Sequence, residues 1–169
     1  MGTLQPSDWL LTTNWLPMNY TPQQVLSAIG IGQQTLRYWR KVLPPLANRQ
    51  GHSACFSFWD LVALKAVNLL VAQAGVAIGS VATISEEIFA ACKTPALLDA
   101  GEHAILVIKP LEMKVQCANV STWRSDGTLE IVLPLMKCIN ELLHSLRDAG
   151  DLAPQISLPF PLAAVSVKA

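Results

Sequence analysis

Apolar and polar positions divide the chain into stretches of different period. After Thr21-Pro22, a hydroxyl cap followed by proline at the first helical position, Val25, Leu26 and Ile29 recur at helical spacing and Gly30 stops the run. A second helix is predicted from about Gly32 to Lys41. Leu36, Trp39 and Leu43 form its inner stripe, and Gln33, Gln34, Arg37, Tyr38 and Lys41 lie opposite. Two short helices joined by Gly30-Ile31-Gly32 make a candidate helix-turn-helix. Pro44-Pro45 ends the second helix, because proline lacks the N–H and clashes with the preceding turn. The stretch Ala47 to Phe56, with turn residues at its centre, predicts a small β-hairpin. Ser57, with Asp60 three residues on as the reciprocal capping acid, opens a third helix. Phe58 to Ala72 is apolar on nearly every side, which predicts burial between layers. A fourth helix is expected from about Ile78 to Cys92, after a break at Gly75.

The second half changes character. His103 to Lys109 and Thr128 to Leu133 read as strands, Met113 to Trp123 as a further one, and Ser125-Asp126-Gly127 as a turn. Leu135 to Ala149 returns to helical spacing and stops at Gly150. The expected organisation is an arm over 1–19, a helix-turn-helix domain over 20–92 and an α+β region over 93–152. A proline-containing tail over 153–169 completes it. The fold class is mainly α with a small amount of β.

Composition sharpens this picture. The chain is 51% hydrophobic and only 14% charged, the reverse of a disordered composition, which predicts burial of part of its surface against a second copy. The net charge is zero, yet between Tyr20 and Ala66 there are five basic residues (Arg37, Arg40, Lys41, Arg49 and Lys65) against one acid, Asp60. A local basic footprint on a neutral protein suits a nucleic-acid contact. Leu61 to Ala82 is apolar enough to suggest a membrane span, but Lys65, Asn68 and Gln73 interrupt it, and a charge at mid-membrane costs at least about 2.5 kcal/mol. The start shows no basic stretch followed by an apolar one. With Cys55, Cys92, Cys117 and Cys138 far apart and no CxxC, reduced thiols in a cytoplasmic protein are expected. The scattered cysteines, together with His52, His103 and His144, do not suggest a metal site, and no cofactor is expected.

The ordered series Tyr20-Thr21, Gly30-Ile31, Thr35-Leu36-Arg37-Tyr38-Trp39, Arg49, Gly51, Phe56-Ser57, Asp60-Leu61 and Gly75-Val76-Ala77-Ile78 resembles the MerR-type winged helix-turn-helix family. The resemblance covers about residues 20 to 90. It implies that the stretch after Pro45 is a wing and that the partner is double-stranded DNA. The chain departs from the family in two places. His52-Ser53-Ala54 stands where a second basic wing residue is usual, and strands follow the fourth helix in place of a long dimerisation helix. Nothing therefore carries over metal sensing or drug binding, and any small-molecule effector is unknown.

Physical reasoning assigns roles within that resemblance. A recognition helix reads base edges with its exposed amino-terminal residues, here Gln33 and Gln34, and a glutamine amide bonds adenine N6 and N7 together. Thr35 is within reach of a base or phosphate, while Arg37, Arg40 and Lys41 are placed for phosphate. The Tyr38 hydroxyl points to the DNA backbone, Arg49 and His52 are the wing candidates, and Thr21 and Gln23 lie at the positive end of the first helix. Gly-rich phosphate loops, HExxH and nucleophile elbows are absent from the sequence. Glu86-Glu87, adjacent on a helix, point about 100° apart, so no enzyme is expected. The leading expectation is a sequence-specific transcriptional regulator, a homodimer on a palindromic site. The alternatives are an architectural DNA-binding protein of the excision or partition type, and a protein–protein adaptor on the same scaffold.

Overall fold

The computed structural model describes residues 19–49, 53–93 and 95–148. The first element, α1 (Pro22–Ile29), begins at a reciprocal cap. The Thr21 hydroxyl accepts from the Gln24 N–H at 3.3 Å, and Gln24 Oε1 accepts from the Thr21 N–H at 2.7 Å. It ends at Gly30, whose φ of 78° is the left-handed conformation that costs glycine nothing, and whose N–H bonds the Leu26 carbonyl. Helix α2 (Gln33–Val42) follows and runs into a 3-10 turn at Pro44–Leu46.

Between 47 and 56 the structure differs from the expected hairpin. Among the described residues of this stretch there is no strand, and Phe56 instead forms an isolated bridge with Tyr20. The Tyr20 N–H donates to the Phe56 carbonyl at 2.7 Å, and the Cys55 N–H to the Tyr20 carbonyl at 3.1 Å. The two flanks are joined by a side chain: Arg49 Nη1 donates to the Cys55 carbonyl. Residues 50–52, the tip of the expected wing and the site of His52, lie outside the described residues.

Helix α3 (Phe58–Asn68) is the buried centre of the molecule, with Leu61 to Leu64 fully enclosed. Its last turns widen into a π turn at Leu69–Gln73 before Gly75 takes a φ of 68°. The expected fourth helix is two, α4 (Ile78–Thr83) and α5 (Ser85–Ala91), broken at Ile84. Hydroxyls explain the break. Thr83 donates to the Ser80 carbonyl at 2.7 Å and Ser85 to the Ala82 carbonyl at 2.9 Å, bonds that compete with the helical ladder. A short α6 (Pro95–Ala100) leads into the sheet.

The sheet has three antiparallel strands in the order β2-β1-β3, with β1 (Ala104–Lys109), β2 (Lys114–Asn119) and β3 (Ile131–Pro134). Leu106 pairs with Cys117 on one side and Leu133 on the other. Because β2 ends beside the start of β1 and β3 begins beside its end, residues 120–130 must cross a face of the sheet. That crossing explains why β1 is apolar at every position but its last, Lys109. Ala104, Leu106 and Ile108 face the helical core, while Ile105 and Val107 are buried on the opposite face. Lys109, on that second face, pairs with Asp126 and Glu130 of the crossing segment. The Asp126 carboxyl is held well below the usual range by its bond to Lys109, helped by Thr128.

The final helix, α7 (Leu135–Asp148), returns the chain to its beginning. Leu135, Ile139, Leu142 and Leu146 are buried, and the helix packs on α3, α1 and β1. Lys65 of α3 meets Glu141 of α7 at 3.1 Å. A single apolar core thus extends from Tyr20 to Leu146, with both halves contributing. Among the described residues no helix is long and apolar enough to cross a membrane.

Two outcomes follow from this packing. Leu142→Ala is expected to cost about 2–5 kcal/mol in urea unfolding. Helix content and tryptophan fluorescence should shift together, whereas separate midpoints would contradict a shared core. Burial, with Cys117 and Cys138 nearby, pushes the Cys92 thiol from 9.0 up to about 12, so it stays neutral when folded while the unfolded thiol ionises at lower pH. This contribution is complete below pH 9.0 and lost as pH rises towards about 12. The melting temperature of Cys92→Ala should fall less steeply with alkaline pH than that of the native chain.

Candidate nucleic-acid interface

The outward face of α2 is built from residues four apart. Gln33, Arg37 and Lys41 form one row and Gln34 and Tyr38 its neighbour, and all five are exposed. The opposite stripe, Leu36 and Trp39, is buried in the core, and Leu43 just beyond the helix is buried with it. Packing therefore fixes which way the polar row points. Gly32 caps the helix without a side chain of its own, so no capping side chain stands over the first-turn N–H groups of α2. Thr35 is half-buried, and Tyr38 is 53% exposed although it is aromatic.

The other expected contact residues are placed differently. The Arg40 guanidinium lies 5.3 Å from the centre of the Phe56 ring, half-buried at the side of the polar row. Gln23 is exposed on the first turn of α1, while the Thr21 hydroxyl is engaged in its own cap, also donating to Gln24 Oε1 at 3.1 Å. Gln24, absent from the expected set, completes that cap. The T-x-x-Q spacing is its sequence signal.

Arg49 is built into the protein. Its Nη2 lies 2.8 Å from Asp60 Oδ2, its Nη1 holds the Cys55 carbonyl, and its guanidinium lies 6.0 Å from the centre of the Phe56 ring. Asp60 is wholly buried and collects several groups. Its Oδ2 also accepts from the Ser57 N–H and hydroxyl, each at 2.8 Å, and Lys93 Nζ stands 2.9 Å from Oδ1. A buried carboxylate needs such partners, because removing a charge from water costs several kcal/mol. The arrangement ties the segment that follows the Pro44–Leu46 turn to the start of α3 and to Lys93 beyond α5. Lys93 lies 33 positions from Asp60, and no local pattern announces that pairing.

Residues 20–88 match the model of the MerR HTH family regulatory proteins. This segment is similar to the MerR-type helix-turn-helix family. The match takes in α1 through most of α5 and leaves the sheet and α7 outside. The match supports a DNA-binding transcriptional regulator in general terms. No curated protein and no solved structure matches the chain.

The Asp60 cluster generates a stability prediction. Asp60→Ala removes the acceptor shared by two partly exposed cations and half of a cap, and is expected to cost about 1–3 kcal/mol in denaturant unfolding. Asp60→Asn keeps an acceptor for Ser57 and should cost less. Losses under about 1 kcal/mol in both variants would show that the cluster contributes little.

Proposed function

We propose that the protein is a sequence-specific transcriptional regulator that binds double-stranded DNA as a homodimer on an inverted repeat. The observation that carries this reading is the unbroken polar face of α2, presented outward by a buried stripe in a MerR-type segment. Gln33 and Gln34 read base edges from the amino-terminal end of α2, with Thr35 beside them. Arg37 and Lys41 contact phosphate, Arg40 supports them from the side, and the Tyr38 hydroxyl reaches the backbone. Gln23 and the first turn of α1 offer a further phosphate contact. Arg49 acts by holding the base of the wing rather than by reaching DNA, since its guanidinium is already bonded. So few outward cations favour two modules over one, at half-sites about one helical turn apart. The exposed Leu129 and Val132 on and beside β3 offer apolar surface for pairing in the carboxy-terminal half.

The test is selection from a pool of random duplexes with the native chain and Arg37→Ala. Recovery of an inverted repeat is expected. Arg37→Ala removes one phosphate contact from each protomer, so it should reduce the slope of log affinity against log salt by about 2 for the dimer, with affinity falling for all sequences alike. Gln33→Ala or Gln34→Ala should cost about 1–3 kcal/mol and relax preference at one base pair. Salt-sensitive binding without a motif would favour an architectural role, and no binding at low salt would leave the segment a scaffold for protein partners.

A further inference from the structure

A cavity of about 390 Å³ lies where the two halves of the chain meet, between the π turn and α4 on one side and the sheet on the other. Its volume falls within the range of small-molecule sites, about 300 to 1,000 Å³. Leu70, Val76 and Ile84 line it from the helical side, and Ile108 and Ile131 from the sheet. No charged side chain lines it. Two hydroxyl-bearing residues, Ser80 and Thr83, stand at its edge. The Thr83 hydroxyl hydrogen is already given to the Ser80 carbonyl at 2.7 Å, so its oxygen presents an acceptor.

The mouth is unusual as well. Leu111 is 79% exposed and Met113 is 49% exposed, and both line the opening. Met113 has a φ of 54°, and no other non-glycine among the described residues has a positive φ. The left-handed region is rarely occupied by a side-chain-bearing residue, and such outliers gather at ligand sites. A π turn forms part of the wall, another feature that concentrates at functional sites.

We propose that this cavity is a binding site for an uncharged, mainly apolar small molecule, of one or two rings, carrying one hydrogen-bond donor. The uncharged lining excludes ions, which would be desolvated with nothing to pair with. The Thr83 oxygen, its own hydrogen already engaged, selects a donor on the ligand. Binding itself does not depend on the DNA reading. One consequence does rest on that reading: α4 packs on α2 as well as lining the cavity, so an occupant bears on the helix assigned to the major groove.

Diphenylamine, neutral with two rings and one N–H, is the probe, titrated calorimetrically into the full chain. One molecule per chain is expected to bind. Gly79 lines the cavity, and a Cβ added there meets nothing within 4 Å, so the backbone has room for the first atom of Gly79→Leu, whose remaining side chain competes with a ligand for the space. An unchanged circular-dichroism spectrum and melting temperature check that the variant is folded. The substitution should weaken diphenylamine by about tenfold or more. N-methyldiphenylamine, which lacks the donor, should bind about fivefold more weakly than diphenylamine, and Thr83→Val should erase that difference. Equal affinity in the native chain and Gly79→Leu, or no heat with the native chain, overturns the proposal. So does binding that emerges only after residues 150–169 are deleted, which would make the tail the occupant. A dimer that dissociates on Gly79→Leu would assign the cavity to a second copy and would also overturn it.

Discussion

The Asp60 carboxylate is enclosed by protein on every side, and the placement of the surrounding segments depends on its being satisfied there. Its partners come from three parts of the chain: Arg49 from the segment after α2, Ser57 from the cap of α3, and Lys93 from beyond α5. None of these groups can leave without stranding a charge or a donor. Arg49 also holds the Cys55 carbonyl, and Tyr20 bridges Phe56, so the segment entering α1 is fastened to the same point. The polar row of α2 is thus fixed by two independent means, a buried stripe beneath it and an ionic anchor beyond its carboxy-terminal end.

That anchor also changes how the charge pattern reads. Five basic residues cluster in the sequence between Tyr20 and Ala66, but two of them are consumed internally, Arg49 by Asp60 and Lys65 by Glu141. Arg40 leans on Phe56. The exposed cations of the cluster are Arg37 and Lys41, both on α2. A surplus counted along the chain overstates the field that reaches a partner, because a pair with a distant acid such as Glu141 is invisible to the count. What survives is smaller but better directed.

Local signals made much of the amino-terminal part legible. Thr21-Pro22, Gly30 and the Ser57–Asp60 box act over a few residues, and α1, α2 and the start of α3 stand where those signals put them. The strands and α7 were legible as runs, with their ends displaced by a few residues. What was hidden depends on distance or on competition between bonds. The hairpin expected at 47–56 gives way to a pairing with Tyr20 and to a side-chain link. The single fourth helix yields to hydroxyls that take backbone carbonyls. The crossing of 120–130 over β1 and the return of α7 onto α1 are set by tertiary packing, and no short window of sequence contains them.

The π turn at Leu69–Gln73 gives the length of this segment a meaning of its own. A π turn accommodates one residue more than an α turn. Excising a single residue there would let α3 continue as an ordinary helix, and everything downstream would rotate by about 100° relative to the residues before it. Val76 and α4 would then no longer face the sheet. The chain between α3 and α4 therefore works as a spacer in angle as well as in distance, and the orientation of one half against the other is held by a count of residues rather than by their identity.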